Sequence, residues 1–183
     1  QFRDGLLIAF LAVLPLRLKN LAELAIGETL VQSAERWSVA LDSDATKTHR
    51  AMEYPWPEFL IPQLENYIAS VRVRLLDLRG RWYRDPGQSL WISMDGSAMG
   101  QAAISDRFKT RSQAAFGFIL RPHAFRHAAS TTIAIDDPAS VRAAAPLLGH
   151  ASYATTARAY NVAKTIEAQR TFAAAILSRS RRR

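Results

Sequence analysis

At 183 residues, with 49% of them apolar, the chain is long enough to bury one core and too apolar to be a disordered segment. It contains no cysteine, which excludes a disulfide framework and a thiolate metal site. Lys and Arg number 24 against 16 acids, a net charge of +8 with a pI near 10.4; this excess favours a polyanionic partner, nucleic acid being the commonest, although a merely basic surface would have the same composition.

The most apolar stretch, Leu6 to Leu16, is too short to cross a bilayer and contains Pro15. No charged segment leading into an apolar run and a cleavage site opens the chain, so a soluble, intracellular protein without membrane contact is expected. The chain starts at Gln1 and runs almost at once into a helical pattern. It is therefore expected to be a fragment whose N-terminal partner domain lies outside it.

In chain order, helices are predicted over 4–15 and 18–26, broken near Pro15. Three β-like runs follow, Thr29–Gln32, Trp37–Leu41 and Arg50–Trp56. The last two flank Asp42-Ser43-Asp44-Ala45-Thr46, a turn-rich link that predicts an antiparallel hairpin. Pro57 suits the start of a helix over 57–79, with Phe59, Leu60, Leu64, Tyr67, Ile68, Val71 and Leu75 on one stripe. Residues 80–96 read as loop, with a short strand candidate at Leu90–Ile92. Helices are then predicted over about 100–115, 122–134, 138–148 and 152–162, each led by Pro, Ser or Gly. A last amphipathic helix, about 164–178, carries Ile166, Phe172, Ile176 and Leu177 on one side. The fold class that results is α+β: one predominantly helical domain with a small three-stranded antiparallel sheet.

The stretch richest in chemistry is Arg121-Pro122-His123-Ala124-Phe125-Arg126-His127. Pro122 fits a first helical turn, and His123 and Arg126, three apart, share a face, with Ala124, Phe125, Ala128 and Ala129 as the packing side. Arg and His near a helix N-terminus make a good oxyanion site for phosphate, because the guanidinium fork grips two oxygens and the helix dipole adds to it. Two other readings apply to the same residues. His123 and His127 have the four-residue spacing of zinc-binding helices, but the Glu of those motifs is Ala124 here and Arg126 would set a cation beside the metal. Alternatively, His123 and Arg126 only cap and salt-bridge a helix.

Downstream, Leu147-Leu148-Gly149-His150 ends a helix, and Thr155-Thr156 and Tyr160 follow, the tyrosine ten residues after the histidine. HxxR, LLGH, TT and this tyrosine closely resemble the tyrosine recombinase (phage integrase) family over Pro122 to Val162. Upstream, Arg17 in Leu14-Pro15-Leu16-Arg17-Leu18-Lys19-Asn20-Leu21 looks like that family's first arginine, and Lys47 in Thr46-Lys47-Thr48 like its hairpin lysine. The resemblance spans essentially the whole chain and departs in the missing N-terminal DNA-clamping domain.

It implies the DNA breaking-rejoining enzyme fold and a catalytic set of Arg17, Lys47, His123, Arg126, His150 and Tyr160. These residue types suit phosphoryl transfer to the Tyr160 phenol, and neither metal nor other cofactor is expected. The implied partners are double-stranded DNA, contacted also by Arg142 and Arg158, and further recombinase protomers in a synaptic tetramer reached through helix 164–178. A bacterial, cytoplasmic, nucleoid-associated location follows. Tyr153, seven residues before Tyr160, is expected to pack, and His49 and His127 are left without a role. A type IB topoisomerase shares the chemistry, and a catalytically silent DNA-binding regulator is the rival of another class.

Overall fold

The computed structural model describes residues 1–34, 36–45 and 51–136. The chain divides into two compact units, Gln1–Phe125 and Arg126–Arg183. Of the second, residues 126–136 are described, as the continuation of one helix. The helices predicted over 138–148, 152–162 and 164–178 lie outside the described residues. No helix among the described residues is long and apolar enough to cross a membrane.

Helix α1 (Phe2–Val13) buries Leu6, Leu7, Phe10 and Leu11 along one stripe. It stops because Leu14, preceding Pro15, is pushed out of helical geometry to φ −117°, ψ 89°. Helix α2 (Leu18–Ala22) is shorter than the predicted 18–26. Beyond Glu23 the backbone finds partners elsewhere: Leu90 N–H donates to Leu24 O (2.7 Å) and Ile26 N–H to Gln88 O (2.8 Å). Those bonds draw the chain through a turn at Gly27, whose φ of +81° suits glycine.

Strands β1 (Leu30–Ser33), β2 (Arg36–Leu41) and β3 (Met52–Pro55) form the expected antiparallel sheet in that spatial order. Its register sets Leu30, Val39 and Tyr54 side by side, all buried, while neighbouring positions on β2 alternate outward. After β2 the chain forms a 3₁₀ turn, Ser43–Ala45. Just past β3, Trp56 lies flat on Phe10 of α1 (ring centroids 3.9 Å, planes 9° apart), fixing the sheet to the first helix.

The predicted 57–79 helix is a composite: a 3₁₀ turn at Glu58–Leu60, α3 (Ile61–Asn66), a π-helical stretch Tyr67–Arg72 and α4 (Val73–Asp77). Leu60, Leu64, Tyr67 and Leu75 are buried as expected. Phe59 is not: it sits in the 3₁₀ turn, out of phase with the helix proper, and is 65% exposed. Leu90–Ile92 is fully buried and lies between two isolated bridges, Ala25↔Ser89 and Ile92↔Ala98, rather than in a named strand. Tyr67 bolts this segment down, its hydroxyl donating to Leu90 O (3.0 Å) and accepting from Ile92 N–H (3.1 Å). Helices α5 (Gln101–Phe116) and α6 (Pro122–Asp136) follow within two residues of their predicted bounds.

Candidate active site

Three of the six candidate catalytic residues, Arg17, His123 and Arg126, lie among the described residues. Arg17 occupies the N-cap position of α2 with extended backbone (φ −65°, ψ 144°). Its carbonyl accepts from Leu21 N–H at 2.9 Å, the first bond of the helix. Buried Leu14, Pro15, Leu16 and Leu21 surround it in sequence, so the backbone at Arg17 is held while the side chain stays half-buried, neither in the core nor fully solvated. The kink that Pro15 forces between two leucine-rich helices is thus what positions this arginine.

His123 and Arg126 stand on α6, three residues apart, near its N-terminus. The route into this helix is tightly set. Gly117, at φ +74°, ends α5 in the left-handed conformation. The buried Ser112 hydroxyl then accepts Leu120 N–H at 2.8 Å and fastens the connection. Pro122 opens α6 where no N–H is needed, and Phe125 packs edge-on against Phe108 of α5 (5.3 Å between centroids). His123 is exposed, whereas Arg126 is buried, with 9% of its surface accessible. Of the expected packing side, Ala124, Phe125 and Ala129 are half-buried, but Ala128 is exposed. His127 is also exposed. Among the described residues no three His, Cys, Asp or Glu side chains gather as a metal ion would require.

Lys47, His150 and Tyr160, with the DNA-contact candidates Arg142 and Arg158, lie outside the described residues, as do His49 and Tyr153.

Sequence inspection missed a charged network beside this framework. Asp4 is 2% exposed; its Oδ1 accepts from Arg3 Nε (3.0 Å) and Nη2 (2.6 Å), and its Oδ2 from Arg111 Nε (2.9 Å). Arg3 also donates to Ile92 O. The network joins α1, α5 and the buried 90–92 segment. Burial would raise the Asp4 pKa, but the hydrogen bonds and charges of Arg3 and Arg111 outweigh it and hold the carboxyl below its ordinary value. Adjacent Arg and Asp on an apolar helix were the available signal; their partner 107 residues away was not.

Several solved structures share this fold. XerH site-specific recombinase, bound to palindromic difH substrate in a post-cleavage complex, aligns with TM-score 0.67 and 19% identity over 95% of this chain and 45% of that one. XerA recombinase aligns with TM-score 0.64 and 19% identity over 87% and 52%. The Tn1549 transposon integrase, in complex with a circular intermediate DNA, aligns with TM-score 0.60 and 18% identity over 91% and 57%. The chain thus spans about half the length of these structures, and its fold is that of tyrosine recombinase catalytic domains. No curated protein matches its sequence. The family model for the phage integrase family matches residues 1–165, and the chain belongs to that family.

Proposed function

We propose that this chain is the catalytic domain of a site-specific DNA recombinase, which cuts and rejoins duplex DNA through a covalent bond to Tyr160. The observation that carries the reading is the helix opened by Pro122, bearing His123 and Arg126 three residues apart, in a member of this family. The solved relatives bound to difH substrate and to transposon intermediate DNA support double-stranded DNA as the substrate class.

In the proposed reaction the Tyr160 oxygen attacks phosphorus and the bond to the 5′-oxygen breaks. The products are a 3′-phosphotyrosyl link and a free 5′-hydroxyl. The link conserves the bond energy, so rejoining by the reverse attack needs no ATP. Negative charge spreads over the non-bridging oxygens in the transition state, where Arg17 and Arg126 neutralise it. His123 accepts the phenol proton, His150 donates to a phosphate oxygen, and Lys47 protonates the departing 5′-oxygen. Arg142 and Arg158 add backbone contacts. No step routes through a metal: between Phe118 and Tyr160 the acids are Asp136 and Asp137, too few for the convergent carboxylates of a two-metal site. Further protomers, docked through the 164–178 segment, complete a synaptic assembly.

A nicked suicide substrate tests the reading, because strand cleavage then traps the covalent adduct. Tyr160→Phe is expected to bind the DNA and form no adduct, and Tyr153→Phe to retain adduct formation. An adduct with Tyr160→Phe would remove Tyr160 as the nucleophile.

A further inference from the structure

The loop at 79–84, Arg79-Gly80-Arg81-Trp82-Tyr83-Arg84, is used by none of the chemistry above. Trp82 is 70% exposed, while the other three tryptophans, Trp37, Trp56 and Trp91, are between 1% and 9% exposed. The Arg81 guanidinium lies over the Trp82 ring at 5.0 Å, and that of Arg79 over the Tyr83 ring at 5.6 Å. Among the described residues no carboxylate pairs with Arg79, Arg81 or Arg84. Two acids close to the loop in sequence or by hydrogen bonding accept bonds from other groups. Asp85 accepts Gly87 N–H (2.9 Å), and Asp95 accepts the Ser93 hydroxyl and Ser97 N–H.

The loop is also built to hold its shape. Gly80 N–H donates to Asp95 O (2.9 Å), Tyr83 N–H to Gly80 O (2.9 Å) and Arg84 N–H to Ser97 Oγ (2.7 Å). A Cβ at Gly80 would come within 2.9 Å of Asp95 Cβ, so the two turns approach as closely as glycine allows. Arg79 is held at φ +37°, in the left-handed region that non-glycine residues rarely occupy.

We propose that this loop is a second nucleic-acid contact, in which Arg79, Arg81 and Arg84 hold phosphates while the exposed face of Trp82 stacks on an unpaired base. The proposal rests on DNA being the substrate, and adds a strand-binding element distinct from the cleavage residues. A nucleotide supplies both groups the loop calls for, an anion for the three arginines and a flat π-face for the indole. An acidic peptide supplies only the first. Strand exchange between duplexes exposes unpaired bases, and the rigid loop requires little ordering to receive one.

Because the other tryptophans are buried, quenching of intrinsic fluorescence reports on Trp82. The full chain is titrated with a dT oligonucleotide, a duplex of equal length and polyglutamate. The single strand is expected to quench strongly and saturably, the duplex less and polyglutamate least. By anisotropy of a labelled single strand, Trp82→Ala is expected to raise Kd roughly 5- to 150-fold, the worth of one stacked base. Arg81→Ala is expected to lower the salt slope by ~0.7, one phosphate contact. Unchanged blue emission from Trp37, Trp56 and Trp91 verifies that Trp82→Ala folds. Equal quenching by duplex or polyglutamate, or a Kd within twofold of the parent for Trp82→Ala, overturns the proposal. Adduct formation by the unaltered chain is scored separately: its absence counts against the cleavage reading and leaves the quenching result to stand or fall alone.

Discussion

Replacing Asp4 by alanine is predicted to destabilise the protein more than removing Arg111, the half-exposed arginine of its network. The carboxylate is 2% exposed and Arg3 is 6% exposed, so their pairing takes place out of water. Without Asp4, the Arg3 guanidinium would be left buried with the Ile92 carbonyl as its acceptor. Breaking a buried pair by removing one partner costs about 3–5 kcal/mol, because a charge remains uncompensated. Arg111 is a different case. Its side chain is 37% exposed, so its bond to Asp4 is screened by solvent and Arg111→Ala should cost about 1 kcal/mol. Asp4→Asn should fall between, keeping one acceptor oxygen and losing the charge. Urea unfolding of the three variants at pH 7 measures the order. Against a total stability of ~5–15 kcal/mol, the largest of these losses is easily resolved. An Asp4→Ala cost below that of Arg111→Ala would show that burial does not set the scale of these losses.

Acid supplies an independent check on the same carboxylate. Burial pushes its pKa up, the two arginines push it down further, and the net direction is down. The folded carboxyl therefore loses its proton at a lower pH than the unfolded one. Its contribution is fully present above the unfolded value near ~4 and disappears as pH falls through the depressed folded value. The stability gap between the parent and Asp4→Asn should accordingly narrow as pH drops below ~4. A gap that stays constant would show that shape, not charge, makes the difference.

At the alkaline end, burial pushes the Tyr67 hydroxyl up to about 12, above the value near ~10 of an unfolded tyrosine. Its contribution should be complete below pH ~10 and fade as pH rises toward the folded value; Tyr67→Phe should lack that loss and unfold ~1–3 kcal/mol more easily at neutral pH, measured by urea titration. Cleavage of the suicide substrate should survive excess chelator, and activity abolished by chelator and restored by magnesium or zinc would count against the cationic mechanism. Lys47→Ala should cleave ordinary DNA ~10²–10⁴-fold more slowly yet recover when sulfur replaces the bridging 5′-oxygen, a leaving group that needs no proton. Arg126→Ala should not recover, and equal rescue of both would reassign the acid.

Elements whose determinants are local were legible in the sequence. The β2–β3 hairpin follows from alternation flanking a turn-rich link, and α5 and α6 from their Gly and Pro punctuation. Elements fixed by distant partners were not. Helix α2 stops at Ala22 because residues 24 and 26 bond to 90 and 88, and nothing near Glu23 announces it. Phe59 fits the apolar stripe on paper and is exposed because a 3₁₀ turn shifts the phase before α3 begins. The π-helical stretch Tyr67–Arg72 leaves no mark in an apolar period of three to four residues. The spacing of His123 and Arg126 predicts one helix carrying both, and both stand near the N-terminus of α6. Arg17 is singled out by its likeness to the family's first arginine, and its flanking proline and leucines predict that it is not fully solvated, as its half-buried side chain shows.

The same contrast explains why the scaffold around α6 matters to the proposed chemistry. A guanidinium that stabilises a transition state must be held before the charge develops, or ordering it consumes what the contact supplies. Here the ordering is done by residues with no chemical role. Gly117 turns the chain, Ser112 holds Leu120, Pro122 starts the helix, and Phe125 locks its rotation against Phe108. Arg126 is out of solvent, and His123, one turn earlier, is exposed. That division suits their assigned tasks. A permanent cation is strongest where water is excluded, while a group that must accept and release a proton needs access to the phenol and to solvent.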